Sequence, residues 1–343
     1  MNLKRVLAVV LVVFLMLSMV ACSGQPAAKP EPEKSKKIKI GVSLPTQREE
    51  RWVLDKEAFE RAAADSGIEM ALQIADNDAA RQQSQCENLI SQGIDALILA
   101  PHDGEAAKNI VEIAHAAKVP VISYDRLVFN AELDLYVTFD QFRIGQLMGE
   151  YMAANLPSGN IVILSGDPQD NTCVPLKQGA LSAIQDKIDS GAYKVVLEQE
   201  CKDWQPNEAL KHMENALTAN NNDIQGVIAP NDGTAGGVIQ ALAAQGLDGK
   251  VIVTGQDCEV DAIKRIIAGT QSMTVFFDCA EMATAAWAAA VKLAKGEDPG
   301  STGTENNGLI DVPVLEFPPT AINKDNYKAL LIDSGYMDAS LFA

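Results

Sequence analysis

Polar and aromatic side chains follow six short apolar segments of the chain, and their types suggest one kind of chemistry. In sequence order these side chains include Arg51, Trp52, Asp125, Arg126, Asn171, Thr172, Trp204, Asn231 and Asp257. Carboxylates and amides accept hydrogen bonds from hydroxyl groups, and guanidinium groups donate to hydroxyl and ring oxygens. Indole faces cover apolar C–H surfaces. Together these groups predict a site for a neutral, hydroxyl-rich ring.

The elements that must position these side chains are short strands that alternate with amphipathic helices. β-branched runs bounded by turn residues predict strands, and stretches of helical periodicity predict the helices between them. The strands are predicted at 38–43, 68–74, 94–99, 119–124, 135–139, 160–164, 193–198, 225–229, 250–254, 272–276 and near 311–315. This order is typical of an α/β fold with doubly wound parallel sheets. Ligands bind beyond the carboxyl ends of such strands, which is where the candidate residues stand.

The strand–helix pattern restarts near Asp140, which predicts two similar α/β domains joined by hinge crossovers. We assign residues 37–140 plus about 277–310 to an N-terminal domain. We assign residues 141–276 plus about 311–343 to a C-terminal domain. If the two domains face each other, their strand-end loops line one crevice.

Each candidate residue has a purely structural alternative. Helix capping could be the sole role of Asn231 or Asp232, which precede Thr234, and of Asp257, which precedes Ile263. Trp52 could be a core residue of a helix, and Arg51 could be a surface ion-pair partner. The joint occurrence of six such clusters at successive strand ends favours a binding site.

The N-terminus has the pattern of an export signal. Lys4 and Arg5 precede an uncharged apolar run that is short for a membrane span, so residues 1–21 are predicted to be a signal peptide. The segment from Met19 to Cys22 resembles the bacterial lipobox, in which the cysteine is lipidated. Residues 22–36 are rich in proline and charge, which predicts a flexible linker. The alternatives are an ordinary secretory signal or a single transmembrane anchor.

The remaining composition argues against several function classes. The 343 residues carry a net charge of −18, which disfavours binding to nucleic acid. No GxGxxG, GxxxxGK[ST] or HExxH motif is present, and the five cysteines after Cys22 have no zinc-ligand spacing. We therefore expect no cofactor and no metal. Asp125 adjoins Arg126, which favours the ionised carboxylate rather than a general acid.

Residues 37 to about 315 resemble the D-xylose-binding proteins of bacterial ABC transporters, which are type I periplasmic binding proteins. The segments that carry this resemblance are Glu50–Trp52, Tyr124–Arg126, Asp170–Asn171, Trp204 with Pro206, Glu214–Asn222, Asn231–Asp232 with Thr234–Gly237, and Gly255–Asp257. The resemblance implies that Arg51, Asp125, Arg126, Asn231 and Asp257 hydrogen-bond a sugar. It also implies that Trp52 and Trp204 lie on its two faces.

The chain departs from the pattern of that family at two positions. Thr172 stands where the family commonly has an asparagine, and Phe277 stands where it commonly has a lysine. Both changes alter which hydroxyl groups can be satisfied. We therefore expect a monosaccharide ligand, either xylose or a related pentose or hexose.

The resulting hypothesis is a monomeric, lipid-anchored binding protein outside the cytoplasmic membrane, not an enzyme, which delivers a monosaccharide to an ABC transporter permease. A sugar sensor that docks on a chemoreceptor or histidine kinase is one alternative. An exported carbohydrate-active enzyme is another.

Overall fold

β-branched runs form the strands of two parallel sheets in the computed structural model, which describes residues 37–342. The first sheet has the order β11-β12-β5-β4-β3-β1-β2. Its strands are β1 (Lys39–Leu44), β2 (Glu69–Ile74), β3 (Ala96–Leu99), β4 (Val121–Tyr124), β5 (Leu135–Phe139), β11 (Gly303–Asn306) and β12 (Asp311–Phe317). All neighbours in this sheet are parallel except β11 and β12, which are antiparallel.

The second sheet has the order β7-β6-β8-β9, and all of its strands are parallel. Its strands are β6 (Gly159–Ser165), β7 (Tyr193–Glu200), β8 (Gly226–Ile228) and β9 (Ile252–Val253). Beside it, β10 (Met273–Phe276) pairs antiparallel with β13 (Thr320–Asn323). The backbone nitrogen of Val275 donates to the carbonyl of Gly255 at 3.0 Å, so β10 lies next to the segment that follows β9.

Nine α-helices connect these strands within residues 37–342. They are α1 (Glu50–Ser66), α2 (Ala79–Ser91), α3 (Lys108–Ala116), α4 (Gln141–Asn155), α5 (Cys173–Asp189), α6 (Pro206–Ala219), α7 (Asp232–Ala244), α8 (Val260–Ala268) and α9 (Cys279–Ala294). Short 3-10 or π turns cover Lys202–Trp204, Lys328–Ile332 and Ala339–Phe342. Aspartate or asparagine caps several helix starts, as at Asp140, whose side chain accepts from the backbone nitrogen of Arg143 at 2.8 Å.

The chain passes between the two sheets three times. It crosses at Asp140 after β5, between β10 and α9, and between β12 and β13. We call the first sheet with α1, α2, α3 and α9 the first lobe, and the remaining elements the second lobe.

One sequence-based boundary was wrong, because β12 belongs to the first lobe. Residues 311–343 were assigned to the second domain, yet β12 pairs with β5 in parallel register. Val312 and Val314 on β12 pack into an apolar cluster that contains Tyr136 of β5. The alternation of apolar and polar residues in a strand predicts which face is buried, but it does not predict which sheet the strand joins.

The apolar core is continuous between the lobes. One cluster contains Ile40 and Ile122 of the first lobe together with Met148, Ile163 and Met273 of the second. Two further clusters cover the outer faces of the two sheets. This core therefore supports the strand ends on both sides of the crossovers.

All strands predicted from the sequence are present, within a few residues at their ends, and helices connect them as expected. The short strands β11 and β13 were not predicted. Cys86, Cys173, Cys201, Cys258 and Cys279 are buried and free. The predicted signal peptide, Cys22 and the linker lie outside the described residues.

Candidate ligand-binding site

Nine of the ten predicted site residues line one cavity between the two lobes. They are Arg51, Trp52, Asp125, Arg126, Thr172, Trp204, Asn231, Asp257 and Phe277. The cavity is narrow, with a volume of about 30 Å³. Loops from the carboxyl ends of strands in both sheets meet there, as expected for parallel sheets.

Arg51 lies at the start of α1 and forms two buried ion pairs. Its Nη1 atom is 2.7 Å from Oδ1 of Asp125, and its Nη2 atom is 3.1 Å from Oδ2 of Asp55. Asp55 also accepts a hydrogen bond from the Tyr124 hydroxyl at 2.6 Å. Burial raises the pKa of Asp55 to about 6, although Arg51 and the Tyr124 hydrogen bond both lower it. This network fixes the guanidinium and leaves Arg51 facing the cavity.

Arg126 pairs with a carboxylate of the opposite lobe. Its Nε atom is 2.7 Å from Oδ2 of Asp170. The same carboxylate accepts from Nε1 of Trp204 at 3.1 Å and from the Thr172 hydroxyl at 2.7 Å. Asp170 therefore positions three side chains that line the cavity.

The two indoles are held by different means. Trp52 lies beneath Arg51, whose Cζ atom is 4.3 Å from the ring centroid. The Trp204 ring approaches Gly166 so closely that a Cβ atom there would lie 2.3 Å from its Cζ2 atom. Glycine is therefore required at position 166 for the indole to occupy this place.

Asn231 and Asp257 lie at the strand ends of the second lobe. The Asn231 side chain caps α7 by accepting from the backbone nitrogen of Thr234 at 2.9 Å, and its Nδ2 atom is 3.4 Å from Oδ2 of Asp257. The capping alternative thus holds for Asn231, which nevertheless also lines the cavity. Desolvation is the main reason that the pKa of Asp257 is raised to about 8.

Asn171 is the predicted site residue that does not line this cavity. Its Nδ2 atom donates to the carbonyl of Leu127, in the other lobe, at 2.7 Å. Phe277 does line the cavity, is buried, and stacks on Phe139 with ring centroids 4.2 Å apart. It provides an apolar wall where a lysine would offer a hydrogen-bond donor.

Four further residues that line the cavity were absent from the predicted set. They are Glu49, Gln141, Asp170 and Gln256. Glu49, Asp170 and Gln256 stand in loops that follow strands, so the same strand-end pattern could have identified them. Gln141 begins α4 after a crossover, and no strand-end pattern marks it.

Three residues of the site have backbone conformations that L-amino acids rarely adopt. The φ angles are 64° at Asp125, 55° at Trp204 and 97° at Asp257. Such strain persists only where the surrounding structure enforces it, and it is commonest at functional sites. These angles place the three side chains in the cavity.

The arrangement can bind a neutral polar molecule. The buried side-chain atoms Oε2 of Glu49, Oε1 of Gln256 and Oδ1 of Asp257 have no hydrogen-bond partner among residues 37–342. They can accept from ligand hydroxyl groups. Over the same range, no cluster of histidine, cysteine, aspartate and glutamate could hold a metal ion. No helix in the described part of the chain is long and apolar enough to cross a membrane.

The chain is similar in sequence to known proteins. Residues 40–298 match the family described as periplasmic binding protein domain. The D-xylose-binding periplasmic protein of Escherichia coli strain K12 is 41% identical over 302 residues, which covers 88% of this chain and 92% of that protein. The D-xylose-binding periplasmic protein of Haemophilus influenzae is 42% identical over 302 residues, covering 88% of this chain and 91% of that protein.

A solved structure has the same fold. A carbohydrate transporter solute-binding protein from Chloroflexus aurantiacus, in complex with D-glucose, has a TM-score of 0.84 and 34% identity. The alignment covers 90% of this chain and 99% of that one. The relatives are binding proteins, so the prediction that the chain is not an enzyme is confirmed. The fold-class prediction is confirmed as well, and the chain belongs to the periplasmic binding protein family, with the type I fold.

Proposed function

We propose that this chain is the extracytoplasmic receptor of an ABC importer and that it captures a monosaccharide between its two lobes. The observation that carries the proposal is the convergence of Arg51, Asp125 and Arg126 from one lobe with Trp204 and Asp257 from the other. Aromatic faces together with charged donors and acceptors match the alternating C–H and O–H surfaces of a pyranose.

Selectivity would follow from burial of these polar groups. A ligand that lacks one hydroxyl leaves its partner in the cavity unsatisfied, at a cost of about 1–3 kcal/mol. The relatives are named for D-xylose, and a solved neighbour contains D-glucose. We propose a pentose or hexose of this group. The Phe277 wall and the Thr172 hydroxyl would determine which sugar is preferred.

Contacts between the lobes support a closing mechanism. The backbone nitrogen of Val260 lies 3.2 Å from Oε2 of Glu50, and Nη1 of Arg48 lies 2.8 Å from the carbonyl of Asp203. These contacts join α1 and the loop before it to the second lobe. We propose that the lobes act as two domains that move about the three crossovers. In this proposal the closed form, with the sugar enclosed, is the shape that the permease recognises.

The N-terminal segment fits the same role. We propose that residues 1–21 direct export, that Cys22 carries a lipid anchor and that residues 22–36 tether the receptor to the outer face of the cytoplasmic membrane. Metabolic labelling with a palmitate analogue tests this proposal. We expect label on the wild-type protein and none on Cys22→Ala, and an unlabelled wild-type protein would contradict it.

Calorimetric titration of residues 23–343 with D-xylose, D-glucose, D-ribose, L-arabinose and a disaccharide tests the receptor proposal. We expect at least one monosaccharide to bind with a micromolar or lower Kd and the disaccharide to bind far more weakly. Asp257→Ala should abolish the heat, whereas the exposed Asp189→Ala should not. Absence of binding to every monosaccharide would contradict the proposal. Catalytic release of a product from the disaccharide would show instead that the protein is an enzyme.

A further inference from the structure

We call the cavity that contains Arg51 and Asp257 the sugar cavity. A second and larger cavity adjoins it on the side of the crossovers. Its volume is about 750 Å³, within the usual range for sites that bind small molecules. Both lobes contribute to its walls, and it shares only Gln141 and Thr172 with the sugar cavity. We call it the hinge groove.

Apolar side chains form much of the hinge groove, and some of them are unusually exposed. Leu127, Phe129 and Tyr136 come from the first lobe, and Phe142 and Val174 from the second. Phe142 is 42% exposed and Val174 is 59% exposed. Exposed apolar side chains that gather along one groove are a feature of binding surfaces.

The charges of the hinge groove all have one sign. Its five charged lining residues are the carboxylates Asp103, Glu105, Asp140, Glu305 and Glu316. No lysine or arginine lines it, and within residues 37–342 none of these five carboxylates forms an ion pair. Glu316 is an exposed residue whose pKa is raised by partial desolvation and by the nearby negative charges of Asp140 and Glu305. A bound cation would relieve this repulsion.

An unsatisfied acceptor also lines the groove. The buried Oδ1 atom of Asn171 has no hydrogen-bond partner in the described part of the chain, while the Nδ2 atom of the same side chain is bonded to Leu127. An acceptor of this kind is suited to an N–H donor.

We propose that the hinge groove is a second ligand site, which binds a small organic ammonium ion with an apolar or aromatic body. The aromatic walls would cover the body of the ligand and the face of its cation. The carboxylates would neutralise the charge, and Asn171 would accept an ammonium N–H. The sugar cavity differs in chemistry because two arginines line it. The proposal does not depend on the identity of the sugar.

Three probes with the same ring and different charge test this proposal: phenethylammonium, 2-phenylethanol and phenylacetate. Each is titrated into residues 23–343 at pH 7 and followed by ligand-observed NMR and calorimetry. We expect phenethylammonium to bind at millimolar concentrations or below, and the neutral and anionic probes to bind at least about tenfold more weakly. Equal binding of the alcohol and the ammonium, or no binding of the ammonium in the millimolar range, would overturn the proposal.

Variants locate the site. The double variant Glu305→Gln/Glu316→Gln should weaken phenethylammonium binding about tenfold or more, a factor equivalent to about 1.4 kcal/mol. The control Glu214→Gln/Glu297→Gln removes the same charge from exposed positions that do not line the groove and should leave binding unchanged. Equal losses in the two variants would indicate only nonspecific attraction to an acidic protein and would overturn the proposal.

One further variant separates the groove from the sugar cavity. Asp257→Asn removes a carboxylate of the sugar cavity and should leave phenethylammonium binding intact. Loss of ammonium binding in Asp257→Asn with retention in Glu305→Gln/Glu316→Gln would place the cation in the sugar cavity and overturn the second site. Failure of every sugar to bind would leave the ammonium result valid, because the two experiments use different residues.

Discussion

The carboxylate of Asp170 lies 2.7 Å from Nε of Arg126, and the two residues belong to opposite lobes. Because the same carboxylate also holds Trp204 and Thr172, it connects the contact between the lobes to the arrangement of the cavity walls. Removal of this carboxylate would leave a buried guanidinium without its partner.

Asp170→Ala should therefore weaken sugar binding by about 2–5 kcal/mol, the usual cost of truncating one partner of a buried charge pair. Calorimetric titration with the preferred sugar measures the effect. Asp189→Ala, at an exposed position at the end of α5, is the control and should have no effect. A change of less than threefold in Kd for Asp170→Ala would show that the pair does not contribute to the binding-competent state.

Gly166→Ala should weaken sugar binding without removing any polar group. The added Cβ atom would lie 2.3 Å from the Trp204 ring, so the indole must move out of the cavity wall. We expect at least about a tenfold rise in Kd, which corresponds to 1.4 kcal/mol. Gly303→Ala is a matched control, since a Cβ atom there would meet nothing within 4 Å. Identical affinities of the two variants would mean that Trp204 does not contact the sugar.

Asn171→Ala should have a much smaller effect than Asp257→Ala. Asn171 lies outside the sugar cavity and contributes one hydrogen bond between the lobes, worth about 0.5–1.5 kcal/mol. We expect its Kd for the sugar to rise no more than about fivefold, a factor that corresponds to roughly 1 kcal/mol. Loss of all measurable sugar binding in Asn171→Ala would show that this residue contacts the sugar.

The stability of the sugar-free protein should fall as the pH rises from 5 to 9. The pKa of Asp257 is raised to about 8 in the folded protein, whereas an unfolded aspartate has a pKa near 4. Between these values the folded state holds a proton that the unfolded state has lost, so the stability that this proton provides disappears as the pH passes about 8. Asp232, with its pKa raised to about 7, contributes in the same direction.

In Asp257→Asn this fall in the free energy of unfolding should be smaller by an amount on the order of 1–3 kcal/mol. Urea unfolding at pH 5, 7 and 9 measures it. Asp261→Asn, at an exposed position on α8, should keep the wild-type dependence. An equal fall in the wild type and in Asp257→Asn would show that Asp257 ionises normally in the folded chain.

The sequence by itself determined the α/β fold and the main members of the site. Strand and helix periodicities are local properties, and the carboxyl ends of parallel strands share one edge of a sheet, so Asp125, Trp204 and Asp257 could be expected to converge. The helix cap at Asn231 was also visible in the local sequence.

Only the tertiary structure decided which sheet β12 joins, since pairing partners depend on surfaces far apart along the chain. It also separated Asn171 from its neighbour Thr172: one lies in the hinge groove alone, the other in both cavities. Adjacent residues in a loop can point into different cavities because their directions follow from backbone angles and from packing between the lobes. For the same reason the five carboxylates of the hinge groove, which the sequence scatters from Asp103 to Glu316, become one feature only when the chain folds.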